Sequence, residues 1–477
     1  MLSNQNLYRL LNKAFLCIVF IAVLSIAACA DNFTFIHISD EHSGAGGGTA
    51  NAIANIGSLT SVYLEPYNFT APKPAFAIET GDMTEFGPIA ETYANILNLY
   101  KSNNINHYQS LGNHDGAWRS LAPEITKLYG APYYSFDRYG CHFIVLCSAG
   151  IEDPSPVIGA EQLKWLKSDL QKTGTKTPVF LAFHHPLDCS EYSGPYQIDQ
   201  FVDILRPYNI ALIMVGHGHS TRYTNFDGFD MIEGGSAYGP GTPGFNVISI
   251  ANGKLRAAFK AATNISATIP LIEKDLYPAS SSYPEIRIQS PKEFGLYKEL
   301  ISIKAWIKIK KDDIDNCVLS LDGDEKSNLE KKPGGSFESI LDISALDPGA
   351  HYIKLLFKDK NGHQYQRSTS FYVDNESTRI LWKTDVNSAT KSTPVYNSGK
   401  IIIGTIDGRL LVYKAENGKL SWTFKTGYAF TGDPLVVGKN VIAGCTDGYL
   451  YCLNIDNGKV LWKYSASEPI FSSPVTD

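Results

Sequence analysis

The chain has 477 residues, 44% hydrophobic and 12% aromatic, which excludes both a single-core domain and a disordered chain and calls for two to four globular domains. A net charge of −6, with no basic stripe and no long acidic run, leaves no nucleic-acid-binding signal and no disordered acidic tail.

At the N-terminus, Arg9 and Lys13 precede an apolar run from Ala14 to Leu24, too short for a comfortable membrane span and of the length of a signal-peptide core. The segment ends Ile26-Ala27-Ala28-Cys29, which resembles the bacterial lipoprotein lipobox. The resemblance implies that residues 1–29 are a lipoprotein-type signal and that the protein is exported. Lipidated Cys29 would then anchor it to a membrane of the cell envelope, on the periplasmic or cell-surface side. The competing reading is an ordinary signal peptide, or an uncleaved anchor, with Cys29 incidental. Of the six later cysteines, Cys141 and Cys147 lie on one strand-like run, where extended backbone holds them roughly 20 Å apart. They cannot pair there, and the absence of Cys-x-x-Cys removes zinc-finger and thioredoxin readings.

From Asp31 to about residue 265, strand-like and helix-like patterns alternate, which predicts an α/β layered domain. Strands are expected at Phe33–Ile38, Pro74–Ile78, Asn106–Leu111, His142–Leu146, Val179–Phe183 and Ala211–Val215, and helices at Ile89–Lys101 and Glu161–Leu170. In the second helix Leu163, Leu166 and Leu170 recur at helical spacing and form a core face. Polar residues gather just past the strands: Asp40-Glu41-His42, Gly81-Asp82, Gly112-Asn113-His114-Asp115, His184-His185-Pro186 and Gly216-His217-Gly218-His219. The carboxyl ends of strands form the ligand crevice of an open α/β sheet, so five segments would deliver Asp, Asn and His to one rim. Each motif alone reads better as a turn, a loop or a satisfied core histidine; five in sequence, each after an apolar strand, do not.

These motifs, in this order, resemble the calcineurin-like metallophosphoesterase superfamily. The resemblance implies a four-layer sandwich of two mixed sheets flanked by helices, with two metal ions at the rim. Carried over by motif, one ion would be held by Asp40, His42, Asp82 and His219 and the other by Asp82, Asn113, His184 and His217, with Asp82 bridging both. The mixed nitrogen and oxygen donors suit two divalent transition ions, Mn, Fe, Zn or Co, better than Ca or Mg. Such a pair, about 3.5 Å apart, lowers the pKa of a bridging water to give hydroxide near neutral pH and neutralises a phosphate ester under in-line attack. By the same resemblance His114 would donate to a phosphate oxygen or protonate the leaving group, and Glu85 would orient it. Purple acid phosphatases carry a tyrosine at the position of Glu85, so Glu85 speaks against that subfamily. Asp115 reads as a structural cap, His185 as an outer partner of the ligands and His37 as a buried, hydrogen-bonded strand residue. Gly44–Gly48 lacks the Lys-Ser/Thr of a nucleotide P-loop and is expected to be a mobile loop bordering the site. Tyr192, Tyr196 and Tyr238, in loops near the rim, are weaker candidates for shaping a substrate pocket.

From residue 284 to 374 short strands are separated by Gly-Asp, Pro-Gly and Asn-Gly turns. The stretch Leu346-Asp347-Pro348-Gly349-Ala350-His351 resembles bacterial immunoglobulin-like modules, which implies an all-β sandwich serving as spacer or adhesion module. In residues 378–477 a 40-residue period sets Trp382, Trp422 and Trp462 in register, with Asp407-Gly408 and Asp447-Gly448. This resembles quinoprotein-type (PQQ-like) β-propeller repeats, about two of them. Since a propeller needs at least four blades to close, the natural C-terminus is expected to lie further on. No quinone site is implied. Two functions stand against each other: an exported metal-dependent phosphoric ester hydrolase, or an envelope scaffold whose β modules bind partners while the phosphoesterase-like part is inert.

Overall fold

A computed structural model describes residues 31–116, 120–150, 153–192, 195–239, 241–262, 268–278, 283–308, 314–360, 363–374 and 381–476. The signal segment 1–29 with Cys29, and the expected boundaries at 265 and 378, lie outside the described residues.

The first domain is built on two sheets. One has the strand order β12-β11-β10-β1-β2-β3, where β1 is Phe33–Ile38, β2 Ala77–Glu79, β3 His107–Gln109, β10 Gly244–Ala251, β11 Lys254–Ala261 and β12 Thr268–Asp275. Strands β1, β2 and β3 run parallel, and β10 returns antiparallel beside β1. The other sheet has the order β8-β9-β7-β6-β5-β4, from β4 Tyr134–Arg138, β5 Cys141–Val145, β6 Val179–Ala182, β7 Ile210–Val215, β8 Arg222–Phe226 and β9 Phe229–Glu233. Its members β5, β6, β7 and β9 are parallel.

The two-residue period of a strand sorts side chains between layers. On β1, Phe35 meets Phe143 and Phe180 of the facing sheet at ring distances of 5.5 and 5.4 Å, both edge-to-face. On β5 and β6, Phe143, Val145, Phe180 and Ala182 join that central core, whereas Ile144, Val179 and Leu181 turn outward. There they pack on Leu166 and Leu170 of one helix, Ala160–Thr173, and on Phe201 and Leu205 of another, Pro195–Leu205. The opposite face of the first sheet is covered by Thr49–Ser58 and Thr92–Ser102, through Ile53, Ile96 and Tyr100. These are the four layers expected.

Several expected elements are shorter than predicted, among them the strand over 106–111, which spans only His107–Gln109. The strand over 74–78 narrows to Ala77–Glu79, because residues before it pair only singly with β1. The helix over 89–101 begins as a 3-10 turn at Ile89–Glu91, and Glu91 at φ 61° breaks the path before the α-helix starts at Thr92. Among the described residues, Cys141, Cys147 and the four later cysteines form no disulfide.

The second sheet continues past the first domain through one parallel bridge, Phe226 with Gln364, into the strands Gln364–Val373, Gly349–Asp359 and Ile314–Leu321. These pack over a four-stranded sheet containing Glu285–Ser290, Leu300–Lys308 and Ser336–Asp342, around Ile303, Leu319, Phe337, Leu355 and Phe371. A polar seam joins this sandwich to the first domain. Asp203 pairs bidentately with Arg367 at 2.6 Å for both bonds, Asp199 accepts from the Ser368 N–H at 2.7 Å, and Asp227 accepts from the Gln366 N–H at 3.0 Å.

Residues 395–425 and 435–465 form two four-stranded antiparallel meanders with a shared core of Ile402, Val412, Phe430, Val441 and Leu453. The 40-residue period is physical. Trp382 Nε1 donates to the Ala415 carbonyl at 2.7 Å and Trp422 Nε1 to the Ile455 carbonyl at 2.9 Å, and their indoles cover Gly418 and Gly458, where a Cβ would clash. Val157 of the first domain packs with Ile406 and Ala429 of this region. Among the described residues no helix is long and apolar enough to cross a membrane.

Candidate metal centre

The parallel strands end at one edge of the two sheets, and the polar motifs follow directly. Asp40 lies just past β1, Asp82 past β2, Asn113 past β3, His184 past β6, and His217 and His219 past β7. Asp40, His42, Asp82, His217 and His219 all have positive φ, between 44° and 73°. Left-handed backbone at a non-glycine residue costs about 1 kcal/mol or more, so the surrounding structure holds these residues in a conformation they would not adopt freely.

The side chains converge in two donor groups. Asp40, His42, Asp82 and His219 each place one ligand atom within 4.8 Å of all the others. His42 Nε2 lies 3.3 Å from His219 Nε2, which lies 3.3 Å from Asp40 Oδ1. In the second group, Asn113 Oδ1 is 2.9 Å from His184 Nε2 and 3.0 Å from His217 Nδ1. Asp82 joins the two: its Oδ2 is 3.8 Å from His42 Nε2 and 3.3 Å from His184 Nε2.

Three of the four ligand histidines are aimed by an outer partner. His184 Nδ1 donates to the Thr80 carbonyl at 2.9 Å, so Nε2 faces Asp82 and Asn113. His42 Nδ1 contacts Glu85 Oε2 at 2.6 Å, and His217 Nε2 contacts Glu191 Oε1 at 2.8 Å. This is how proteins fix the tautomer and ring plane of metal-binding imidazoles. The Glu85 carboxylate therefore meets His42 first; for His114 its backbone carbonyl is nearer, 3.0 Å from Nδ1 against 3.7 Å for Oε1. The His114 N–H donates to Asp82 Oδ1 at 2.8 Å, while its imidazole, a third exposed, stands beside His42 on the open side.

Burial alone would push the Asp82 carboxyl up, but the charges of His184, His114 and His42 hold it well below the usual carboxylate range. His184 is driven the other way: burial lowers it, and Asp82 and Asp40 lift it to about 9. A buried carboxylate surrounded by imidazoles wants a cation between them. Two further observations fit metal ions. The buried His185 Nε2 has no hydrogen-bond partner, and one ring nitrogen of His185 lies within 4.8 Å of donor atoms of His184 and His217. Gly112 leaves a cradle for Asp82, where a Cβ would sit 2.2 Å from Oδ1.

The other candidates are placed as follows. Asp115 is fully buried and accepts from Met83, Thr84 and Gly112 N–H groups and the Thr84 hydroxyl; burial and the Asp82 charge raise it to about 6. His37 lies between Thr80 and Asn246, and burial lowers it to about 3, so it is a neutral strut. Gly47 packs against Tyr238, whose ring is 5.3 Å from that of His42. Tyr192 is buried with its hydroxyl on the His185 carbonyl. Glu191 was not foreseen from sequence. It belongs to no motif, and its only signal is an acidic residue in the loop directly after His184-His185-Pro186.

Residues 33–221 match the family described as calcineurin-like phosphoesterase, and residues 360–476 match that of outer membrane protein assembly factor BamB. Purple acid phosphatase 23 of Arabidopsis thaliana is 32% identical over 99 residues, which cover 20% of this chain and 21% of that protein; the chain thus matches about a fifth of this curated relative's length. Among solved structures, GAP50, the anchor in the inner membrane complex of Plasmodium, is 16% identical, with 52% of this chain and 90% of that chain covered at a TM-score of 0.37. A predicted phosphoesterase of Streptococcus pneumoniae is 12% identical, with 51% and 97% covered at 0.27. BamB of Moraxella catarrhalis is 15% identical, with 38% and 50% covered at 0.17. The polar motifs gathered at one sheet edge thus lie within residues 33–221, the part that matches the calcineurin-like phosphoesterase family, and the repeats further along the chain lie in the part that matches BamB.

Proposed function

We propose that this chain hydrolyses phosphate esters at a dinuclear centre of divalent transition ions. Asp40, His42, Asp82 and His219 would hold one ion, and Asp82, Asn113, His184 and His217 the other. The observation that carries this reading is the position of Asp82, within 4 Å of imidazole nitrogens from both donor groups. Such a metal pair would supply a nucleophilic water near neutral pH and offset charge on the phosphoryl oxygens. The chain's own contribution is alignment. Glu85, Thr80 and Glu191 orient three histidines, and Asp82 stays ionised under the field of His184. His114, exposed on the open side and tied by its own N–H to Asp82, is placed to donate a proton to the leaving alcohol.

The test is a metal-reconstituted assay on an aryl phosphomonoester and an aryl phosphodiester, with Asp82→Asn alongside. Metal-dependent turnover that drops by orders of magnitude in the variant supports the reading. Equal rates in the two proteins refute it and favour an inert domain on a scaffold.

We further propose that the protein is exported and anchored through Cys29, that residues 284–374 form an immunoglobulin-like spacer, and that the BamB-type repeats engage a protein partner of the envelope. Incorporation of a labelled fatty acid, lost in Cys29→Ser, checks the anchor.

A further inference from the structure

A cleft of about 840 Å³ lies between the phosphoesterase domain and the β-sandwich. We propose that it receives the alcohol portion of the substrate and that this alcohol is a saccharide-like polyol; the inference rests on the phosphoesterase reading above. The volume falls in the range of sites that hold small organic ligands.

The cleft and the metal centre share one segment. Leu187–Ser190 and Tyr192 line the cleft, while Glu191, within the same turn, holds His217 at 2.8 Å and the Tyr192 hydroxyl holds the His185 carbonyl at 3.1 Å. Arg222 ties this wall to the ligand loop. It grips Asp188 bidentately at 2.7 and 2.8 Å and Glu233 at 2.5 Å, and a Cβ on Gly218, between His217 and His219, would collide with Glu233. One short segment therefore serves both the cleft and the histidines of the candidate metal centre.

The lining chooses the class of alcohol. Tyr223 and Asn225 come from the phosphoesterase domain, and Tyr352, Lys354, Gln364 and Gln366 from the sandwich. Among the described residues, the Tyr352 hydroxyl, the Lys354 ammonium and the carboxamides of Gln364 and Gln366 have no hydrogen-bond partner, so binding costs them no existing bond. A nucleobase carries its polar atoms on the edges of one plane and is read in a narrow slot. Here hydroxyl, carboxamide and ammonium groups come from both domains across a broad cleft, which suits a ligand with hydroxyls around its whole perimeter. Tyr223, 41% exposed, and Tyr352 offer flat apolar faces to the C–H side of a sugar ring. Lys354 adds a cation for a further negative charge on the ligand.

The experiment compares the full-length, metal-loaded protein with Tyr352→Ala and Lys354→Ala, both in the sandwich and far in sequence from the metal ligands. The substrates are p-nitrophenyl phosphate, an oligosaccharide 1-phosphate and a nucleoside monophosphate. The expected result is a kcat/KM for the oligosaccharide phosphate that falls roughly 10-fold or more in each variant, with p-nitrophenyl phosphate unchanged. Binding of the unphosphorylated oligosaccharide to metal-free protein, read by saturation-transfer NMR and lost in Tyr352→Ala, is expected independently. If no phosphate ester is turned over but the saccharide binds, the phosphoesterase reading fails and the cleft assignment survives as a binding site. Equal loss on all substrates, no saccharide signal, or nucleotide-selective binding that depends on Tyr352 overturns the proposal.

Discussion

Gly112→Ala is the most searching test of the metal centre, because it adds one methyl group and removes no ligand. The new Cβ would lie 2.2 Å from Asp82 Oδ1, 2.3 Å from the Asp82 nitrogen and 2.8 Å from its Cγ. Ordinary contact needs about 3.5 Å, so the carboxylate or the turn carrying Asn113 must move by about 1 Å. Asp82 is the one residue assigned to both donor groups, and the His114 N–H bond to it, 2.8 Å long, would shift with it. A misplacement of this size costs on the order of 100-fold in rate. The assay is kcat on an aryl phosphate after metal reconstitution, with metal affinity by calorimetry and far-UV circular dichroism as a folding check. Gly159→Ala is the control, since its Cβ would meet nothing within 4 Å and its backbone is ordinary extended chain. Retention of rate and metal affinity within about threefold in Gly112→Ala would sink the argument that Asp82 is positioned by close backbone approach.

Other perturbations test neighbouring parts. Asp115→Ala strands the N–H groups of Met83, Thr84 and Gly112, and a loss of about 3 kcal/mol is expected in urea denaturation; a loss below about 1 kcal/mol would contradict the role of Asp115 as the knot of this turn. Glu191→Ala should weaken metal binding by about 10- to 100-fold in calorimetry, while Glu191→Gln, which keeps an acceptor oxygen for His217, loses less; identical behaviour of the two variants would argue against orientation through this bond. The interdomain seam carries a pH signature. Burial raises Asp199 to about 6, against its bonds from Ser368 that favour the charged form. A carboxyl whose folded pKa lies above its unfolded value contributes stability that is complete below about pH 4 and lost as pH climbs through 6. Wild-type protein should therefore lose stability relative to Asp199→Asn between about pH 4 and 6; a difference that is flat, or of opposite slope, in denaturant midpoints would disprove it.

Much of the candidate site was legible in the chain because its candidate ligands come at strand ends, and strand ends are marked by where an apolar run stops. Phe33–Ile38 followed by Asp40 and His42, and Val179 onward followed by His184, are local signals. The helix Ala160–Thr173 was equally visible, since Leu166 and Leu170 repeat at the spacing of a buried face. Glu191 and Asp115 are different. One is an exposed acid in an irregular loop and the other closes the Gly112–Asp115 motif, and the partners each takes depend on which histidine or N–H group the fold brings to it. The interdomain cleft had no sequence signal at all, because its walls lie more than 100 residues apart, at Asp188 and Lys354.

The sequence by itself determined the alternation of strands and helices, the polar motifs past the strand ends and the 40-residue period, which rest on local periodicity and residue type, while the four layers and the two ligand sets were implied by the family resemblance. Only the tertiary structure decided that Asp82 stands between two donor groups, that Glu85 serves His42 before His114, and that the sandwich closes a cleft on the Leu187–Tyr192 segment, whose Glu191 holds His217. Those outcomes follow from parallel strands of both sheets ending at the same edge and from the single bridge that joins Phe226 to Gln364. Distances between segments far apart in the chain are set by packing, and no local pattern encodes them.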